Sequence, residues 1–154
     1  MLGKAALNYF LNIMKNMQHA SPAMASTQKD LVDDVLSQFP KLVSPKAHAI
    51  FDALAFPAML PLVIYLAKKN PKVGLIMGLN LAVEGGVSLF TNYPPAIIPK
   101  ISFRDHIRIG MVFAPLSSAL SLLTPGLTKR ERLVLSLVPL VPFILNGISK
   151  PTSN

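Results

Sequence analysis

Cysteine and tryptophan are absent from the 154 residues. Without thiols the chain has no disulfide, no thiolate nucleophile and no cysteine metal site. Charge is scarce too: 14% of residues are charged, against about 25% in soluble domains. Acids are scarcest, 7 against 15 Lys and Arg. Such a chain lacks the polar surface needed to solvate a globular exterior. No serine stands in an elbow of glycines, and no glycine-rich phosphate loop is present. The expectation is therefore a protein that is not an enzyme.

What is present is apolar: 51% hydrophobic residues and a mean hydropathy of +0.48. The formal charge of +8 does not point to nucleic acid. Its cations sit in short loops between apolar runs, as at Lys68, Lys69 and Lys72 or Lys129, Arg130 and Arg132. Membrane proteins place cations this way, at headgroup level. The expected partner is a lipid bilayer, with a second copy or another membrane protein as a further one. Cations flank the apolar stretches evenly at both ends, so the positive-inside rule assigns no orientation.

Residues 1–40 read as an N-terminal region of interfacial helices and linker, and 41–154 as a membrane domain. Over residues 1–18, Leu2, Ala5, Ala6, Tyr9, Phe10, Ile13 and Met14 recur at helical spacing. Asn8 and Asn12 interrupt the apolar core that a signal peptide needs, and a mitochondrial presequence needs arginine. The stretch reads instead as a helix lying in the membrane interface. Residues 20–29 read as a polar linker, with Thr27 and Asp30 capping a short second helix that ends before Pro40.

Four apolar stretches follow, at about 47–67, 73–91, 107–124 and 133–149. Lengths near the roughly 17–25 residues of a span predict an all-α, four-helix transmembrane bundle. Ser44, Lys46, His48 and Pro57 recur 58 residues later as Ser102, Arg104, His106 and Pro115. The pattern divides the domain into units 44–101 and 102–154, each a helical hairpin. Two-span units are parallel repeats, so His48 and His106 fall on the same side at one depth.

Small residues form two i, i+4 stripes: Gly74, Gly78, Ala82 and Gly86 on the second helix, and Gly110, Ala114 and Ser118 on the third. They predict that these two helices are close neighbours. The prolines should kink the others, their freed carbonyls finding other partners.

The polar residues gather in one half: His48, Asp52 one turn on, Glu84, His106 and Arg108. An ionisable group in hydrocarbon needs a partner, so Glu84 is expected to meet Arg108, Asn80 or a histidine. The leading expectation is an interfacial polar lock in a structural or accessory subunit. One alternative is a minimal proton or small-solute carrier through Glu84 and Asp52. Another is a bis-histidine redox protein holding haem or a metal at His48 and His106. No cofactor or metal is expected, because Gly110 stands where a second carboxylate would match Asp52.

Three stretches carry a resemblance: Ser44-Pro45-Lys46-Ala47-His48 with Asp52 following, Thr91-Asn92-Tyr93-Pro94, and Lys100-Ile101-Ser102-Phe103 leading to His106. With these, about residues 41–150 resemble small bacterial four-helix membrane proteins of unknown function related to the SPW-repeat proteins. The resemblance implies a multi-pass protein of the bacterial inner membrane. It also implies a carboxylate four residues after each histidine, and here the second of these is Gly110.

Overall fold

Each apolar run begins at a residue that can cap a helix. Ser44 accepts from the amide of Ala47, Asn70 from Lys72, Ser102 from Asp105, and Thr128 from Glu131 in a reciprocal capping box. Pro45 and Pro71 follow two of these caps at the first helical position, where the missing amide hydrogen costs nothing. A computed structural model describes residues 22–93 and 98–151. Its helices are α1 (Pro22–Ser37), α2 (Pro45–Lys69), α3 (Pro71–Phe90), α4 (Phe103–Leu123), α5 (Lys129–Leu137) and α6 (Leu140–Ile148). The only β pairing among the described residues is two isolated bridges.

Four helical stretches are long and apolar enough to cross a membrane: α2, α3, α4, and α5 with α6 taken together. Only 11% of the most apolar window of α2 is buried, and Ile50, Leu54, Leu62, Ile64 and Tyr65 are exposed along it. A patch that long on a soluble protein would be an aggregation site, whereas lipid covers it without cost. The protein is an all-α, four-span membrane bundle.

The chain divides into two units, Met1–Val35 and Leu36–Asn154. The expected helix over 1–18 lies outside the described residues. The expected linker at 20–29 is corrected: from Pro22 onward it is α1. Pro22 is tolerated in a first turn, and Ala23, Met24 and Ala25 are strong helix formers. Thr27 is therefore inside the helix rather than its cap.

Within the second unit, α2 pairs with α3, and α4 with α5 and α6. The last span is broken at Val138 and Pro139. Pro139 has no hydrogen for the carbonyl of Leu135. That carbonyl instead accepts from Ser121, and the nearby carbonyl of Ser136 accepts from Ser118. The proline break thus becomes a junction with α4.

Two glycines of the stripes, Gly74 and Gly110, pack inside their own hairpins. A β-carbon on Gly74 would collide with Ala67 of α2, and one on Gly110 with Asn146 of α6, whereas Gly86 has nothing within 4 Å. The closest approach of α3 to α2 also uses Gly85, which lies against the Phe56 ring. Between α3 and α4, Asn80 Nδ2 donates to Ser117 Oγ at 2.6 Å, both buried.

The two ends of the bundle differ. Val63, Val73, Ile76, Met77, Leu127 and Leu135 form an apolar core toward the hairpin loops. The opposite end, where α2 and α4 begin and α3 and α6 finish, is polar. There, each helix start is stitched to the end of the other hairpin. Leu42 and Val43 donate to Ile148, and Lys150 donates back to Val43. Lys100 and Ile101 likewise donate to Phe90, and Asn92 donates back to Ile101. Every residue of the second set stands 58 positions from its counterpart in the first.

Candidate functional site

His48 and His106 each close the first turn after a capping serine, their amides donating to Ser44 and Ser102 at 3.0 and 2.9 Å. The stitched ends bring these turns together. The two rings are 1% exposed and stand edge to face with centroids 5.0 Å apart. Phe103 and Tyr93 pack around them. The expected same-side placement of the histidines is what the structure shows.

Each imidazole is oriented by a hydroxyl from the other hairpin. His48 Nδ1 lies 2.7 Å from Ser149 Oγ, and His106 Nδ1 lies 2.9 Å from Thr91 Oγ1. A hydroxyl has one proton to give. Ser149 gives its proton to Leu145, and Thr91 gives its own to Val87, both at 2.6 Å. Both hydroxyl oxygens therefore accept from the rings, which places hydrogens on both Nδ1 atoms. In the neutral rings, both Nε2 atoms are left with free lone pairs.

Those lone pairs converge on one carboxylate oxygen. His48 Nε2 lies 3.4 Å and His106 Nε2 3.6 Å from Asp52 Oδ2. The same oxygen accepts from Tyr93 at 2.5 Å, and the Ser88 hydroxyl lies 2.9 Å from it. Burial, together with that bond to Asp52, pushes the Tyr93 hydroxyl well above its ordinary range, so it stays a donor. A cavity of about 130 Å³ adjoins the carboxylate between α2 and α3, lined by Asp52, Phe56, Pro57, Gly85, Ser88 and Tyr93 among others.

Of the residues singled out in the sequence, His48, Asp52 and His106 form this centre. Glu84 does not join it, and its expected pairing is not formed. Its Oε1 is buried without a hydrogen-bond partner. Arg108 pairs at 3.4 Å with Asp105, one turn earlier on its own helix. Asn80 is engaged by Ser117, and both histidines face Asp52. The sequence reading missed Ser88, Thr91, Tyr93 and Ser149 as site residues. Thr91 and Ser149 were detectable: they are hydroxyl residues 58 positions apart.

The centre has the chemistry of a cation site. Nitrogen and oxygen ligands about 2.1 Å from a tetrahedral divalent ion stand roughly 3.4 Å apart. Charge-assisted hydrogen bonds bring the same atoms to about 2.7–2.9 Å. The observed 3.4 and 3.6 Å match the first spacing. His48, Asp52 and His106 each offer one ligand atom, all within 4.8 Å of one another. Haem does not fit, because a macrocycle ligated by both rings would occupy the place of the Asp52 carboxylate.

No family model matches this chain, and no curated protein or solved structure matches it either.

Proposed function

We propose that this is an accessory integral membrane protein of the bacterial inner membrane that holds a divalent first-row transition ion at His48, Asp52 and His106. This reverses the sequence-based expectation of no metal. The observation that carries it is the pair of imidazole lone pairs facing one carboxylate oxygen at metal-ligand spacing. Two nitrogens and one oxygen suit zinc and its neighbours. The hydroxyls on both Nδ1 atoms are the outer partners such ligands carry.

An accessory role is favoured by how the hydroxyls are used. Thr91 and Ser149 spend their protons on backbone carbonyls, so neither is poised as a nucleophile. A bound ion would draw α2 and α4 together and fasten the two hairpins at their polar end. The duplicated-hairpin reading is supported by the matched stitches and crossed hydroxyls, which recur at the 58-residue offset. The inner-membrane assignment is supported by the resemblance to small bacterial four-helix proteins and by the four spans. The carrier reading has less support, since the Glu84 carboxylate makes no hydrogen bond to the centre, and the Ser88 hydroxyl meets only the Glu84 backbone carbonyl, at 2.8 Å.

The test is ion binding by purified protein stripped with chelator. We expect one Zn²⁺ or Co²⁺ per chain, lost in His48→Ala, His106→Ala and Asp52→Asn variants that keep their helical content. Folded wild-type protein that takes up neither ion refutes the reading.

A further inference from the structure

Cations are equally frequent at the two ends of the bundle, but at the hairpin loops they stand almost unopposed. The loops carry Lys68, Lys69, Lys72, Lys129, Arg130 and Arg132. Two hydrogen bonds join the loops into one surface. Asn70 Nδ2 donates to Glu131 Oε1 at 3.0 Å, and Lys72 Nζ donates to the carbonyl of Pro125 at 2.8 Å. Glu131 is the single acid of the two loops, and neutral groups take both its oxygens. Its Oε2 accepts from the amide and the hydroxyl of Thr128. The engaged cations also rest on neutral groups. Lys69 lies 4.7 Å over the Tyr65 ring, and Arg132 Nη1 donates to the carbonyl of Leu122. Their positive charge is left standing. At the opposite end, by contrast, Arg108 pairs with Asp105.

The arrangement is tightest at the start of α5. Lys129 and Arg132 stand three residues apart there, neighbours on the helix surface. The bond to Leu122 fixes the Arg132 guanidinium at the end of α4. A guanidinium has five N–H donors in a planar fork, so others remain for an acceptor, and phosphate oxygens match that fork. Beside it the surface turns apolar at once: Leu122, Leu123 and Leu133 are exposed, Leu123 to 80%. This is where the spans end, the level of lipid headgroups. Fixed cations above exposed leucines complement a molecule with an anionic head and apolar tails. A zwitterionic head would bring its own cation into the same field and be repelled.

We infer that the hairpin-loop end binds an anionic phospholipid. Lys129 and Arg132 hold the headgroup phosphate, and Leu122, Leu123 and Leu133 meet the acyl chains. The cross-loop bonds bring Lys68, Lys69 and Lys72 of the first hairpin to the same surface, so their charge adds to the field at the headgroup. The site lies at the other end of the bundle from the histidine centre and does not depend on an ion there.

The test uses the full chain in a neutral detergent, titrated with phosphatidylglycerol or phosphatidylcholine. Binding is read from thermal stability and from lipid retained in native mass spectrometry. Wild type is expected to hold phosphatidylglycerol about ten-fold more tightly than phosphatidylcholine. Lys129→Gln with Arg132→Gln should weaken phosphatidylglycerol binding about thirty-fold, at about five-fold per cation lost. Lys46→Gln with Lys100→Gln, at the opposite end, should leave it unchanged. Equal affinity of wild type for the two lipids, or equal losses in the two double variants, overturns the inference. If loss of Arg132 prevents folding, Lys129→Gln decides alone. Its side chain is exposed, and undiminished phosphatidylglycerol binding in that variant overturns the assignment. Glycerol phosphate, the same head without chains, is expected to give no stabilisation at matched concentration. Stabilisation equal to that of the lipid would mean a site for soluble phosphate and overturn the assignment to lipid.

Discussion

His48 Nδ1 and Ser149 Oγ lie 2.7 Å apart although 101 positions separate them in the chain. His106 and Thr91 make the matching contact at 2.9 Å. Removing either hydroxyl strands a buried ring hydrogen, which costs about 1–3 kcal/mol. Ser149→Ala and Thr91→Ala should therefore lower thermal stability in micelles by similar amounts, and Ser149→Thr should retain most of it. A large loss for one and none for the other would contradict the crossed arrangement.

Glu84→Gln gives a different result from the one a Glu84–Arg108 lock requires. Glu84 Oε1 has no partner to lose, and Arg108 is held at Asp105. Stability of the variant should equal or exceed that of wild type, because a buried carboxylate oxygen without a partner already costs about 1–3 kcal/mol. A drop above about 2 kcal/mol in chemical denaturation would show that the carboxylate is paired.

The spans were legible because bilayer thickness writes itself into run length, and lipid tolerates few charges. The depth of the histidines was legible from the 58-residue offset. The centre's membership was not. Charge drew attention to Glu84 and Arg108, yet the groups that orient the rings are uncharged hydroxyls at the ends of α3 and α6. Thr91 and Ser149 are unremarkable until folding places each beside the other hairpin's histidine. The small-residue stripes were visible too, but spacing alone does not say which neighbour a glycine faces. Gly74 and Gly110 face their own hairpin partners.

That difference is measurable at two positions of one stripe. Gly74→Val must push Ala67 and its backbone aside, and overpacking of this kind costs about 1–3 kcal/mol. Gly86→Ala meets nothing within 4 Å and should be neutral or slightly stabilising. Thermal unfolding of the two variants side by side checks the assignment.

Ion binding should weaken as the pH falls, because protons compete for the Nε2 lone pairs that would hold the metal. Titration of Zn²⁺ across a series of acidic buffers should show affinity dropping steadily, with protons released on binding. Affinity that is flat with pH would mean that imidazole nitrogens are not ligands.

Because the end of α6 is tied to the start of α2, the centre depends on the order of synthesis. His48 enters the membrane about a hundred residues before the serine that orients it. Until the second hairpin is inserted, its ring has neither Ser149 nor His106 beside it. A translation intermediate arrested after α3 would hold an open half-site, and only completion of α6 would close it. Assembly of the centre can therefore serve as a report that insertion of the whole bundle has finished.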